Sequence, residues 1–217
     1  MREAFEAGLE ELNQLLVSMA EAARTAMQNA TTALLNADRN AAETVIAEDD
    51  RIDTLKQEVD NRAYELLARQ APVAGDLRRI TTALHVGADL ERMGDLAQHV
   101  AKIALMRHPS AAVPPELATV FLQMSTAADH MAKKITSVLA THDTKRAAEL
   151  EKEDDDMDAL HREMFTVLFG NWPHDVESAV DAALLGRFYE RYADHAVNAA
   201  RRVIYLVTGE NPTPPAS

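Results

Sequence analysis

Two segments of this chain, EDDRIDTLKQE (residues 48–58) and EDDDMDALHRE (residues 153–163), share six identical residues at an offset of 105. A second pair, GADLERMGDLA (87–97) and GRFYERYADHA (186–196), shares five identical residues at an offset of 99. Self-similarity at a nearly fixed spacing is typical of an internal duplication. The fold is therefore predicted to contain one structural unit twice.

The repeated unit is predicted to be helical. Apolar residues recur at intervals of three and four from Phe5 to Leu34, which is the pattern of a long helix with one buried stripe. Similar patterns, separated by segments rich in Pro, Gly, Asn or Asp, predict further helices over about 41–69, 75–106, 116–140, 146–169 and 176–208. No segment has the alternation of a strand. We expect an all-α protein of six long helices.

The Pro-rich segment RHPSAAVPP (residues 107–115) is the best candidate boundary between the two units, because proline interrupts helices. The predicted organisation is two tandem, sequence-related three-helix bundles, over residues 1–108 and 115–210. The last seven residues, 211–217 (NPTPPAS), are expected to form a disordered tail.

Composition excludes several classes of function. The 217 residues carry a formal net charge of −13, so there is no basic footprint for nucleic acid and no polybasic membrane patch. There is no cysteine, which excludes disulfides and thiol catalysis. No apolar run approaches the ~18 residues of a membrane span, and the N-terminus does not resemble a signal peptide. We expect a cytoplasmic protein without membrane insertion.

Each half contains two pairs of acids spaced four residues apart, a spacing that places both carboxylates on one helix face. The pairs are Asp49 with Asp53, Glu91 with Asp95, Asp154 with Asp158, and Glu190 with Asp194. For any single pair, a solvated acidic face is the simpler interpretation, since the chain has 35 acids.

The placement of the pairs favours a binding site. The pairs centred on residues 51 and 93 are equally far from Pro72, in the predicted turn between their helices. In the second half, the pairs centred on 156 and 192 are equally far from a point next to Pro173. Antiparallel helices then bring four carboxylates to one level in each half, and a bound cation would relieve their repulsion. Asp50 and Asp155 are additional candidate ligands.

An all-oxygen ligand set suits hard or borderline ions, namely Mg, Mn, Ca or Fe, with Zn as an alternative. A di-iron oxidase or iron-storage bundle would use the pattern Glu-x-x-His, which is absent; Asp158 with His161 is the nearest match. A metal-storage or redox bundle is therefore disfavoured. A scaffold with solvated acidic faces and no metal remains the other alternative.

Four arginines are candidates for contact with an anion or a protein partner. Arg92 and Arg191 recur within the repeated motif, and Arg78 and Arg79 lie in the first turns of the third helix. Pairing with neighbouring acids is the favoured interpretation. Asp76, at the start of the same helix, is expected to cap it.

The segments APVAGDLRRI (71–80), ADLERMGDLAQHVAKIA (88–104) and GRFYERYADHAVNAARRVIY (186–205) resemble the PhoU family, and its actinobacterial members in particular. The resemblance covers the whole chain except the tail. It implies an all-α protein of two three-helix bundles whose carboxylate motifs hold metal ions, iron or zinc, in multinuclear clusters. Carried over by position, the ligands are Asp49, Asp53, Glu91 and Asp95 in one site and Asp154, Asp158, Glu190 and Asp194 in the other.

The resemblance also implies a function without a reaction. PhoU proteins are negative regulators of phosphate-starvation signalling and of phosphate transport. They couple a phosphate ABC transporter, through its ATPase subunit, to a phosphate-sensing histidine kinase. The chain is therefore expected to act by protein–protein contact, to form a homodimer and not to be an enzyme. Its location would be the cytoplasm, next to the inner face of the membrane through its partners.

Overall fold

The computed structural model describes residues 2–69, 72 and 74–210. Within these residues the chain forms six helices and no strand, which confirms the all-α prediction. The helices are α1 (Arg2–Asn36), α2 (Arg39–Arg69), α3 (Gly75–Arg107), α4 (Pro115–Thr141), α5 (Thr144–Leu168) and α6 (Val176–Thr208). The predicted tail, and most of the predicted turn at Pro72, lie outside the described residues. The two domain boundaries stay predictions.

Local chemistry explains where the helices begin. Pro115 occupies the first position of α4, where a missing N–H costs nothing. Helix α5 begins slightly before the predicted position because the carboxylate of Asp143 accepts the backbone N–H groups of Lys145 and Arg146. The capping prediction for Asp76 is wrong: α3 is preceded by Ala74, which makes no side-chain cap, and Asp76 lies within the first turn. There its negative charge favours the positive end of the helix dipole.

The two halves share one hydrophobic core. Helices α1, α3, α4 and α6 form a central layer in which α1 packs on α3 and α4, and α6 packs on α3 and α4. Helix α2 covers α1 and α3 on one side, and α5 covers α4 and α6 on the other. The buried tyrosines of α6 reach across the halves: the Tyr192 hydroxyl donates to the carbonyl of Ala23, and the Tyr189 hydroxyl bonds to that of Thr31.

Helices α3 and α6 run antiparallel along the contact between the halves. Arg107, at the end of α3, pairs with Asp181 near the start of α6. Towards the middle, the rings of His99 and Phe188 stack with centroids 5.2 Å apart. Because α1 and α4 are also antiparallel, the halves are related by an approximate two-fold axis, and their hairpin turns lie at opposite ends of the molecule.

The turn between α5 and α6 is held by side-chain hydrogen bonds, the first of them from Trp172. Its indole N–H donates to the carbonyl of Asp175 at 3.2 Å. His174, in the same turn, lies 2.9 Å from a carboxylate oxygen of Glu116 at the start of α4. Among the described residues, no helix has the length and apolar character needed to cross a membrane.

Candidate functional site

The eight predicted carboxylates lie on two pairs of neighbouring helices, and all eight are partly buried. The first cluster lies between α2 and α3 and consists of Asp49, Asp53, Glu91 and Asp95. The second cluster lies between α5 and α6 and consists of Asp154, Asp158, Glu190 and Asp194. Both clusters lie at about the same level along the antiparallel α3 and α6, since the contacts of Asp89 with His195 and of His99 with Phe188 bracket them. Asp50 and Asp155 are exposed beside them.

The second cluster has the stronger mutual repulsion. Burial raises the pKa of Asp154 to about 7, and the negative charges of Asp194, Asp158 and Glu190 add to the effect. The pKa of Glu190 is also raised, first by burial and then by Asp194, while the positive charge of Arg187 opposes the change. The four carboxylates are therefore close enough to disfavour one another's ionised forms.

In the first cluster, burial and neighbouring carboxylates also raise the pKa values of the acids, and nearby lysines offset more of this change. Burial is the main cause of the raised pKa of Asp49, followed by the charges of Asp53 and Asp95. The pKa of Glu91 is raised by burial, and the ammonium of Lys56 is the largest opposing influence. Their role as metal ligands stays a prediction.

Several carboxylates are engaged by neighbouring side chains. Arg92 donates to Asp95 at 2.6 Å, Gln98 donates to Asp49, and Arg187 donates to Glu190. The other carboxylate oxygen of Glu190, Oε2, is buried and has no hydrogen-bond partner among the residues that the structure describes. Glu190 Oε2 is therefore free to accept from a donor or to coordinate a cation.

The donor chemistry suits a hard cation, but the side chains do not yet converge on one point. Across the part of the chain that the structure describes, no three acidic or histidine side chains are arranged to hold one metal ion. Metal binding would therefore require carboxylates to turn away from partners such as Arg92 and Arg187. Rotation of an exposed or half-exposed side chain is a small change compared with movement of a helix.

The two clusters differ at one equivalent position. In the first half, Lys56 lies against Gly87 and pairs with Asp60 at 2.6 Å. In the second half the same position is His161, whose ring lies against Gly186. Its Nε2 is buried and meets no hydrogen-bond partner within the described part of the chain. Burial lowers the pKa of His161, which favours its neutral form. The first cluster thus has a permanent positive charge where the second has none.

The four candidate arginines have different surroundings. Arg79 pairs with Glu6 at 3.1 Å, and Arg78 lies over the ring of Tyr205 at 5.8 Å from its centroid. With Arg92 bound to Asp95, three of the four are engaged within the molecule. Arg191 is exposed. No ligand role is assigned to the three engaged arginines.

Sequence reasoning missed the polar residues that surround the clusters. Lys56 could have been found, because it lies three residues from Asp53 and four from Asp60 on one helix face. The buried carboxylate of Asp89 gave no such signal: it pairs with His195 at 3.1 Å and Arg202 at 2.9 Å, both on α6. Only the packing of α3 against α6 brings these residues together.

Fold and site together define a class: a duplicated three-helix protein that carries one carboxylate cluster on each repeat. The profile of the PhoU domain matches this sequence twice, over residues 16–104 and 121–203. The chain belongs to the PhoU family, which confirms the resemblance seen in the sequence.

Known relatives and a solved structure match this chain over nearly its full length. The phosphate-specific transport system accessory protein PhoU homolog 2 of Mycobacterium tuberculosis is 49% identical, over 98% of this chain and all of that protein. PhoU homolog 1 of Mycobacterium leprae is 46% identical, over 98% of this chain and 96% of that one. The crystal structure of PhoU from Pseudomonas aeruginosa is 29% identical and superposes with a TM-score of 0.86, covering 95% of this chain and all of its own.

Proposed function

We propose that this protein is a negative regulator of phosphate-starvation signalling and phosphate uptake. It acts in the cytoplasm by coupling the ATPase subunit of a phosphate ABC transporter to a phosphate-sensing histidine kinase. The observation that carries this proposal is the full-length similarity, at 49% identity, to a protein named as an accessory of phosphate-specific transport. A homodimer is the proposed assembly.

The proposed mechanism is contact rather than chemistry. Helices of 25 to 35 residues give the protein long, rigid surfaces, and such surfaces suit the recognition of partner helices and loops. A partner that binds one state of the transporter more tightly shifts the balance between states by that difference in affinity. No bond-making step is assigned to any residue.

Deletion of the gene tests this function. In phosphate-rich medium, the deletion strain should express phosphate-starvation genes that the parent keeps off, and the wild-type gene should restore repression. Any second PhoU gene in the host must be deleted as well. Unchanged expression in that double deletion would overturn the proposal.

We further propose that each cluster binds metal ions through its four carboxylates. The support is the all-oxygen donor set, the mutual repulsion of the carboxylates and a buried oxygen of Glu190 that no described residue contacts by a hydrogen bond. A divalent or trivalent ion, iron or zinc, or magnesium or manganese, would neutralise this charge and tie the paired helices together. Asp50 and Asp155 are close enough in sequence to contribute.

Elemental analysis and calorimetry test the metal proposal. The purified protein should bind ions tightly and unfold at a higher temperature with metal than with chelator. The double variant Glu91→Ala, Glu190→Ala should lose both effects, whereas the exposed control Asp156→Ala should keep them. No tight binding would support a scaffold without metal. Turnover with Fe(II) and oxygen would instead favour the redox bundle.

A further inference from the structure

A cavity of about 220 Å³ lies in the crevice between α1 and α2. Its α1 lining follows at intervals of three and four, as one helix face does, and consists of Ser18, Glu21, Ala22, Thr25 and Ala26. The buried Ile52 of α2 and Gly94 of α3 also line it. Pockets for whole organic ligands measure about 300–1,000 Å³, so this cavity suits a single side chain.

The lining of the cavity has an excess of negative charge. Glu21, Glu48 and Asp49 contribute three carboxylates, and Arg51 is the one cation among the described lining residues. Asp49 accepts a hydrogen bond from Gln98. Glu21 and Glu48 are exposed, and within the described part of the chain their carboxylates form no ion pair. The cavity therefore offers two carboxylates that can accept from a positively charged group.

This crevice has a counterpart in the second repeat. The offset of 105 that relates α2 to α5 also relates α1 to α4, since the family profile begins at residue 16 in one repeat and at 121 in the other. The buried stripes correspond at the same spacing: Leu12, Met19 and Ala23 on α1 match Leu117, Met124 and Ala128 on α4. The crevice between α1 and α2 is thus equivalent to the crevice between α4 and α5.

In the counterpart, a lysine of the chain itself lies across the crevice. Glu153, the equivalent of Glu48, accepts a hydrogen bond from Lys134, which also donates to Glu149 at 2.8 Å. The side chain of Lys134 is only 15% exposed. His130 lies 3.7 Å from the second carboxylate oxygen of Glu153. At this position of the repeat, the acid therefore binds an ammonium group where the chain supplies one.

The first repeat lacks both of these cations. Asn29 stands at the position of Lys134, and Thr25 stands at the position of His130. The exchange of lysine for asparagine removes the internal charge, and the exchange of histidine for threonine removes volume at the cavity. Glu48 is therefore left without the ammonium group that its equivalent has.

We propose that the cavity between α1 and α2 binds a lysine side chain of a partner protein. The ammonium group pairs with Glu48 and Glu21, and the methylene groups lie against Ala22 and Ala26. Lysine suits a lining of this kind because its stem is apolar and its head is charged. Charge complementarity and the equivalent Lys134 identify the occupant. The proposal rests on the proposed regulatory function, and it names the surface and the chemistry of one contact.

Titration with a capped lysine tests the cavity directly. The probe is Nα-acetyl-lysine amide, and the control is Nα-acetyl-norleucine amide, which has a four-carbon stem without the charge. Each is added to the full chain, labelled on its alanine methyl groups and followed by nuclear magnetic resonance. Chelator is present, because a metal ion at Asp49 would change the local charge. Ala22 and Ala26 report on the cavity, and the buried Ala147 of α5 reports on the second repeat.

Three variants separate the proposed contact from unspecific attraction. Glu48→Gln removes a carboxylate that would pair with the ammonium group. Asn29→Lys supplies an internal lysine at the position that Lys134 has in the other repeat. The control Glu163→Gln makes the same change of charge at an exposed position of α5.

The expected result is a saturable shift of the Ala22 and Ala26 signals, with a dissociation constant of roughly millimolar size, and no shift of Ala147. The norleucine control should cause no shift at the same concentration. The affinity should fall about threefold or more in Glu48→Gln, be lost in Asn29→Lys and be unchanged in Glu163→Gln. All variants should keep the helical content of the full chain.

Equal shifts with both probes, or wild-type affinity in Glu48→Gln or Asn29→Lys, would overturn the cavity proposal. Tighter binding of putrescine than of the capped lysine would assign the cavity to a free diamine and overturn the protein partner.

The gene-deletion strain separates this proposal from the regulatory function. The gene with Asn29→Lys should restore repression less well than the wild-type gene, whereas the gene with Glu163→Gln should restore it fully. Normal repression by Asn29→Lys would overturn the lysine contact. Failure of the wild-type gene to repress would instead overturn the regulatory function.

Discussion

At the scale of single residues, folding disfavours the ionised form of Asp154 more than that of the other described acids. Its carboxyl has an ordinary pKa of 3.8, and in the folded protein burial and three neighbouring carboxylates raise that pKa to about 7. Folding therefore favours the protonated form. The stabilisation from the neutral carboxyl is complete below the unfolded pKa and is lost as the pH rises through the folded pKa.

Replacement of Asp154 by asparagine should stabilise the protein at high pH. With chelator present, the gain in unfolding free energy should be about 1–2 kcal/mol larger at about pH 8 than at about pH 4.5, after allowance for solvent screening. Urea denaturation at both pH values measures this difference. The exposed neighbour Asp155→Asn is the control and should have little effect at either pH. A gain that shrinks as the pH rises would contradict this account of the cluster.

Gly94 lies between Glu91 and Asp95 in the sequence, where α3 packs against Ile52 of α2. A Cβ atom built at this position would lie 2.7 Å from Cδ1 and 3.3 Å from Cγ2 of the buried Ile52. Isoleucine is stiff because it branches at Cβ, so it cannot easily move away. The missing side chain is therefore what allows the two acid-bearing helices to come together.

Gly94→Ala should destabilise the protein by about 1 kcal/mol or more, because overpacking outweighs the better helix propensity of alanine. The matched control is Gly75→Ala, since a Cβ atom there meets nothing within 4 Å. The control should be neutral or slightly stabilising. Urea denaturation of both variants measures the difference, and equal stability would contradict the close approach of α2 and α3.

At the scale of helices, α6 has three chemically different faces: a buried one with Tyr189 and Tyr192, an ionic one that meets α3, and an exposed apolar one. Asp181 belongs to the ionic face and is almost completely buried. It joins the start of α6 to the end of α3 through Arg107. Helix position in this protein therefore depends on ion pairs between the halves as well as on apolar packing.

Asp181→Ala should lower the unfolding temperature clearly more than Glu177→Ala. Both acids pair with Arg107, but the side chain of Asp181 is 6% exposed and that of Glu177 is 66% exposed. Asp181→Ala removes both hydrogen bonds that Arg107 makes to a buried carboxylate and leaves Arg107 only the exposed Glu177, whereas removal of the exposed partner changes little. Thermal unfolding followed by circular dichroism compares the two. Similar losses would mean that burial of the pair has no energetic consequence.

The helices could be predicted well from the sequence, and the surroundings of the site could not. Apolar spacing and proline positions placed all six helices, because both signals are local. The acid pairs were identified from the duplication. The contacts of Lys56 with the first cluster, and of Arg187 with the second, depend on side-chain direction, which residue spacing alone does not determine. Val180 and Leu184 have core-like periodicity but are exposed.

At the scale of the whole molecule, the two repeats are not independent bundles. Helices α1 and α3 bury apolar residues against α4 and α6, and the resulting core is continuous. Separation of the repeats would expose that face to water. Two-state unfolding of the full chain as one unit follows from this arrangement.

A fragment of residues 1–112 should therefore fail to fold as a stable monomer. It should bind a hydrophobic dye, associate on size-exclusion chromatography and unfold without a sharp transition. The full chain, studied under the same conditions, should show none of these properties. A monomeric fragment with a cooperative transition would mean that the interface between halves contributes little to stability.

The antiparallel course of α3 and α6 sets the distance between the two hairpin turns. Each helix has 33 residues, or about 50 Å of length, and the turn of each hairpin lies at the opposite end from the other. Molecules held at the two turns would be kept apart by a rigid spacer of that size. One copy could thereby bridge two bodies that never touch. The effective concentration of one body relative to the other would then be set by a rigid helical spacer of fixed length rather than by a flexible linker.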